Sequence, residues 1–122
     1  GYDCKFTYKK ISIGLDALLN RAKFIACNRV ANFPGEKGNL LPGCGPMVAA
    51  IASASGKKPD FVIGKPNTFM LELITQDNRF RPKELLMIGD APENDIIMVN
   101  HFGSPSVLVT QAISSIDLTV TN

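Results

Sequence analysis

An α/β fold with mostly parallel sheets is what this sequence predicts. Short apolar runs of strand length alternate with segments whose apolar residues recur at helical spacing. The runs themselves, residues 85–88 above all, are apolar without alternation, as suits strands covered on both faces. Residues able to do chemistry (Asn28, Lys65 and Asp90) come at or just after the ends of such runs. Doubly wound sheets place their ligands at those strand ends.

Taken in order, Thr7 is placed to cap a helix in which Ile11, Leu15, Leu18 and Ala22 form an apolar face. Residues 23–27 read as a strand. Residues 28–42 read as one long loop, since Asn28, Asn32, Pro34, Gly35, Gly38 and Asn39 supply turn chemistry. Residues 47–54 are helix-prone and stop at Gly56, a natural C′ position. Residues 61–63 form the next strand, which runs into Gly64-Lys65-Pro66-Asn67. Asn67 is expected to cap a helix carrying Met70, Leu73 and Ile74 on one face. Residues 85–88 form a strand that ends in Gly89-Asp90-Ala91-Pro92. Pro92 fits the first turn of a helix, where its missing N–H is not needed, and Gly103 ends that helix. Residues 107–109 make a further strand, and 118–121 a last one. The strand–loop–helix pattern restarts near Asp60, which suggests two lobes, 1–60 and 61–122.

Composition narrows the function. The 122 residues are 45% hydrophobic and 20% charged, values of an ordered globular protein. A net charge of +2, with no segment rich in Lys and Arg, gives no reason to expect nucleic-acid binding. No apolar stretch is long enough for a membrane span. Cys4, Cys27 and Cys44 form an odd set without a C-x-x-C, so a reducing compartment, the cytoplasm, is expected. Cys27 and Cys44 read as packing residues, Met70, Met87 and Met98 as core, and His101 as a surface residue at a helix end. No Gly-rich phosphate loop follows a strand, which sets aside a nucleotide-binding module.

Asp90 and Asp95 flank a strand-to-helix turn, where paired carboxylates suit a hard cation such as magnesium. The alternative is that Glu93 and Asp95 complement the positive end of a helix. Lys65, between Gly64 and Pro66, is either an ammonium fixed near a phosphoryl group or an ordinary turn lysine.

Together these segments carry a resemblance. Gly64-Lys65-Pro66-Asn67 followed by Gly89-Asp90-Ala91-Pro92-Glu93-Asn94-Asp95-Ile96 resembles the third and fourth motifs of the haloacid dehalogenase (HAD) superfamily. Phe6-Thr7-Tyr8, Phe24-Ile25-Ala26-Cys27-Asn28 and Leu41-Pro42-Gly43-Cys44-Gly45 resemble the cap of its class IIA branch, the NagD, 4-nitrophenylphosphatase and phosphoglycolate phosphatase group. The resemblance implies a Rossmann-like HAD core, of which 61–122 is the C-terminal part, and an α/β cap domain, of which 1–60 is the C-terminal part. It further implies a magnesium-dependent phosphatase that hydrolyses small phosphorylated metabolites through a phosphoaspartate. Asp90 and Asp95 would hold Mg2+ and Lys65 would be catalytic. Asn28, Arg29, Asn32, Phe33, Pro34, Pro42 and Gly43 would bind substrate from the cap, and a homo-oligomer through the cap stays open.

The chain also departs from the family pattern. Val30 stands where members commonly have an acidic residue, Asn94 where many have Thr, and Gln111 where Gly is often found. The largest departure is that no Asp-x-Asp, the family's nucleophile motif, occurs in the 122 residues. A carboxylate nucleophile has no substitute in a metal site that has nothing to activate. The sequence is therefore expected to be part of a phosphatase and inactive by itself, or else a non-catalytic HAD-like binding or assembly protein.

Overall fold

The computed structural model describes residues 2–36, 39–112 and 115–121, with side chains up to Thr110. The chain divides into two compact units, Gly1–Ile63 and Gly64–Asn122.

In the first unit, helix α1 (Tyr8–Leu19) begins after Thr7. Thr7 holds the extended backbone of a cap residue, and its carbonyl accepts from the Lys10 and Ile11 N–H groups. Its side chain makes no capping bond. Leu18 is buried, with Ile11 and Leu15 half-buried on the same face, as the spacing predicts. Ala22 lies beyond the helix and is exposed. Helix α2 (Cys44–Ser55) ends at Gly56, whose φ of 66° is left-handed, so glycine is the residue that fits without cost. The helices approach closely where Gly14 of α1 meets Ile51 of α2, leaving only 3.1 Å for an added Cβ.

Strands β1 (Ile25–Ala26) and β4 (Phe61–Val62) pair in parallel, Ile25 opposite Phe61 and Ala26 opposite Val62. The Asp60 carboxylate accepts from the Phe24 N–H at 2.7 Å and locks the register at its start. Leu18, Phe24, Ala26 and Cys44 are the buried apolar residues of this unit. Residues 28–42 are not one loop. Asn32–Pro34 (β2) and Leu40–Pro42 (β3) pair antiparallel, with Phe33 opposite Leu41. Short strands containing Pro and Asn carry too weak a periodicity to be seen in a sequence.

In the second unit, helix α3 (Phe69–Asn78) starts one residue later than expected, with Thr68 at the cap position. The Asn67 side chain instead accepts the Phe69 N–H at 2.9 Å, which fixes the turn before the helix. A 3₁₀ turn (Pro82–Glu84) leads to β5 (Met87–Gly89). A π-helical turn over Pro92–Ile96 then opens into α4 (Ile97–Phe102), which ends at Gly103 with φ 84°. Strands β6 (Ser106–Ala112) and β7 (Ser115–Thr121) complete a sheet of order β5-β6-β7. The β5–β6 pairing is parallel and the β6–β7 pairing antiparallel. Parallel and antiparallel pairs are thus mixed across the chain, rather than mostly parallel.

Ile96, Met98 and Val99 are buried here, and Val99 is fully so. Ser104 is buried with them and donates to the Pro82 carbonyl at 2.5 Å, tying the end of α4 to the 3₁₀ turn. Some expected burial is absent. Leu86 is 57% and Ile88 63% exposed: two residues apart, they share one face, which is left open among the described residues. Met70 is exposed on α3, and Cys27 is exposed rather than packed, whereas Cys44 is buried.

Candidate active site

The end of β5 positions the acidic residues. Asp90 follows Gly89, the last residue of the strand, and Ala91 then starts the π-helical turn. Pro92 occupies the first turn, where no N–H partner is required. The wide turn brings Asp95 back toward the strand, its N–H donating to the Ala91 carbonyl at 2.7 Å.

Asp95 is 1% exposed. Burying a carboxylate is costly unless it is paired and hydrogen-bonded. Both conditions are met: Oδ1 accepts from Lys65 Nζ at 2.5 Å and Oδ2 accepts from the Ala91 N–H at 3.2 Å. Lys65 follows the break between the units and precedes Pro66, to which it is joined by a cis peptide bond. Its side chain is half-exposed, so one end of the ion pair is buried and the ammonium reaches solvent. Gly89 makes the arrangement possible. A Cβ at that position would lie 2.4 Å from Asp95 Oδ2 and 2.5 Å from its Cβ and Cγ. Only glycine leaves room for the carboxylate to fold back on the strand. In the sequence Gly89 stands only as the residue between the strand and Asp90; its closeness to Asp95 arises from the fold.

Asp90 differs. It is exposed, and no described residue donates a hydrogen bond or an ion pair to it. Magnesium usually takes one or two carboxylates, with waters and phosphate oxygens completing the shell. Among the described residues, no three His, Cys, Asp or Glu side chains gather as a metal cluster. Asp90 thus presents an open carboxylate at the strand end, where a hard cation could be held. Both oxygens of Asp95 are already engaged, and its immediate partner is Lys65.

The remaining candidates lie in the first unit. Asn28 is half-buried, and its side chain accepts the Val30 N–H at 3.2 Å, shaping the exit from β1. Asn32 and Pro42 face each other across the β2–β3 hairpin, with Phe33 and Pro34 on the same strand as Asn32. Gly43 is buried beneath, and its N–H donates to the Ala31 carbonyl at 2.9 Å. An added Cβ on Gly43 would come within 2.3 Å of the Val30 carbonyl oxygen. Gly45 is similarly crowded, with 2.8 Å to the Arg29 carbonyl oxygen. The two glycines thus let the start of α2 press against the backbone of residues 29–31. Tyr2, which the sequence did not single out, packs edge-on against Phe33 with ring centroids 5.0 Å apart. Arg29 stands apart from the hairpin residues, lining a cavity of about 380 Å3 against Val48, Ala52, Lys58 and Val62.

Known proteins resemble this chain in sequence and in fold. Residues 62–120 match the model of the HAD-hydrolase-like family. Chronophin of Rattus norvegicus is 33% identical over 118 residues, which are 96% of this chain and 38% of that protein. The structure of a 4-nitrophenylphosphatase from Thermotoga maritima superposes with a TM-score of 0.80 at 29% identity, covering 90% of this chain and 42% of the other. The glycerol phosphate phosphatase of Mycobacterium tuberculosis, solved in complex with magnesium, gives 0.77 at 33% identity, covering 89% and 32%. The chain spans about two fifths of the length of the curated relatives it matches.

Proposed function

We propose that this chain, which belongs to the HAD-like hydrolases, is the C-terminal part of a magnesium-dependent phosphatase acting on small phosphomonoesters. The observation that carries the reading is the Lys65–Asp95 ion pair beside an open Asp90 at the end of β5. A turn lysine without a role would not need a buried carboxylate to orient it. In this reading residues 61–122 belong to the catalytic core and residues 1–60 to the cap. The relatives support the substrate class, since one of them is named for glycerol phosphate. The three cysteines are all free, which supports a reducing, cytoplasmic compartment.

The chemistry follows from the positions. Asp95 holds the Lys65 ammonium in place through Oδ1, and Lys65 directs its remaining donors at a phosphoryl oxygen. A preorganised cation there offsets the negative charge that spreads over the transferring group. Magnesium, bound at Asp90, would add Lewis-acid neutralisation of the same charge. The nucleophile is an aspartate of an Asp-x-Asp that the 122 residues do not contain. It attacks phosphorus as the ester oxygen leaves, and water then cleaves the phosphoaspartate to release phosphate. Asn28, Arg29, Asn32, Phe33, Pro34, Pro42 and Gly43 are assigned to substrate selection. Val30, where the family commonly has an acid, makes that selection less polar.

The missing Asp-x-Asp also favours a second reading, a non-catalytic HAD-like binding protein. Magnesium titration separates them. In a longer protein carrying the Asp-x-Asp, Asp90→Asn should shift the magnesium dependence of aryl phosphate hydrolysis strongly, and Asp95→Asn should lower the rate with a smaller shift. An unchanged magnesium dependence in Asp90→Asn would refute the assignment.

A further inference from the structure

Cationic side chains scattered in the sequence converge in the first unit. Residues 1–63 carry nine Lys and Arg against four Asp and Glu, a net of +5, while residues 64–122 carry four against seven, a net of −3. The modest overall charge hides this division. In space, the link from α1 to β1 and the link from α2 to β4 lie side by side. They border an open surface hollow of about 420 Å3 lined by Arg21, Ala22, Lys23, Lys57, Lys58 and Asp60.

The plain explanation is that cations gather at helix C-termini, and it accounts for part of the cluster. Lys57 Nζ donates to the Leu18 carbonyl at 2.6 Å and so serves the end of α1. The two helix ends carry about half a negative charge each. With Asp60, they offset two of the four cations and leave two uncompensated. Asp60 is moreover turned to its backbone partner, the Phe24 N–H. The side chains of Arg21, Lys23 and Lys58 have no hydrogen-bond or ion-pair partner among the described residues.

We propose that this hollow binds a small, multiply charged phosphate anion through Arg21, Lys23 and Lys58. Three unpaired cations around a hollow of ligand size suit a diphosphate, and the Arg fork adds bidentate recognition of phosphate oxygens. Lys58 also borders the cavity that Arg29 lines, but Arg21 and Lys23 lie at the opposite end of β1 from the hairpin residues. β1 and β4 run parallel, with Lys23 and Asp60 before their first residues, whereas residues 28–34 follow the far end of β1. A phosphate compound held here would act as an effector rather than as the hydrolysed ester.

The test is calorimetric titration of the 122-residue chain with inorganic pyrophosphate in magnesium-free buffer containing a chelator. One equivalent should bind, more tightly than inorganic phosphate and more weakly as salt rises. Lys23→Gln and Lys58→Gln should each weaken it about tenfold, the scale of one charge-assisted hydrogen bond. Both positions are exposed, and circular dichroism checks that each variant keeps the fold. Lys65→Met should bind pyrophosphate as the unaltered chain does. Absence of binding would overturn the proposal, as would binding that Lys65→Met abolishes while Lys23→Gln and Lys58→Gln leave it intact. Tighter binding to duplex DNA or to anionic vesicles than to pyrophosphate would overturn it too.

Discussion

At the scale of single residues, two aspartates that the sequence presents as a pair stand in different surroundings. Asp95 is buried and doubly hydrogen-bonded, whereas Asp90 is exposed and open. Asp95→Ala should destabilise the chain by about 1–3 kcal/mol, because the Ala91 N–H loses its acceptor and a packed side chain is removed. The cost on the lysine side stays small, since Lys65 is half-exposed and water replaces its partner. Asp90→Asn should stay within about 0.5 kcal/mol of the unaltered chain. Denaturant unfolding of both variants checks the contrast. Gly89→Ala is the complementary probe. Its Cβ would overlap the Asp95 side chain, so a loss of about 1–3 kcal/mol is expected, read as a lower urea midpoint. Lys65, Asp90 and Asp95 were legible in the sequence as candidates. The different surroundings of the two acids were not, since spacing cannot show which one folds back on the strand.

At the scale of elements, the sequence was most readable where glycine or a helical apolar face marks a boundary. Gly56 and Gly103 end α2 and α4 as expected, both with positive φ. Gly103→Ala should cost about 1–2 kcal/mol, the penalty of a left-handed backbone for an L-residue, measured as a fall in thermal midpoint. The α4 segment also carries the second unit's fully buried Val99. Val99→Ala should cost about 2 kcal/mol or more, through lost burial and the space left behind. The sequence was least readable in residues 28–42, where the hairpin is held by cross-strand bonds rather than by an alternating pattern. The π-helical turn at Pro92–Ile96 was equally hidden, because such single wide turns are rare and have no residue pattern of their own.

At the scale of the whole molecule, the fold class was legible because strand runs and amphipathic helices alternate along the chain. Burial was not, because coverage depends on partners that a sequence pattern does not reveal. Residues 85–88 read as a strand covered on both faces, yet Leu86 and Ile88 are exposed. Exposed apolar side chains on a strand that has one side unpaired among the described residues invite association. The 122-residue chain should therefore bind a hydrophobic dye in its folded state, and Ile88→Thr should reduce that fluorescence. The chain should also fail to hydrolyse an aryl phosphate in magnesium, because it contains no Asp-x-Asp. Metal-dependent turnover that copurifies with it and vanishes in Asp90→Ala would show that the nucleophile lies within the chain after all. The central claim, that Lys65 faces a phosphoryl group, is tested most directly in a longer protein that carries the Asp-x-Asp. The measurement is turnover of 4-nitrophenyl phosphate at saturating magnesium for the unaltered protein and Lys65→Met, with thermal midpoints beside it. The account predicts a rate loss on the order of 10²-fold or more with the fold retained, as for other preorganised groups that meet developing charge. Near-unaltered turnover in Lys65→Met would contradict it and return Lys65 to the status of a turn residue.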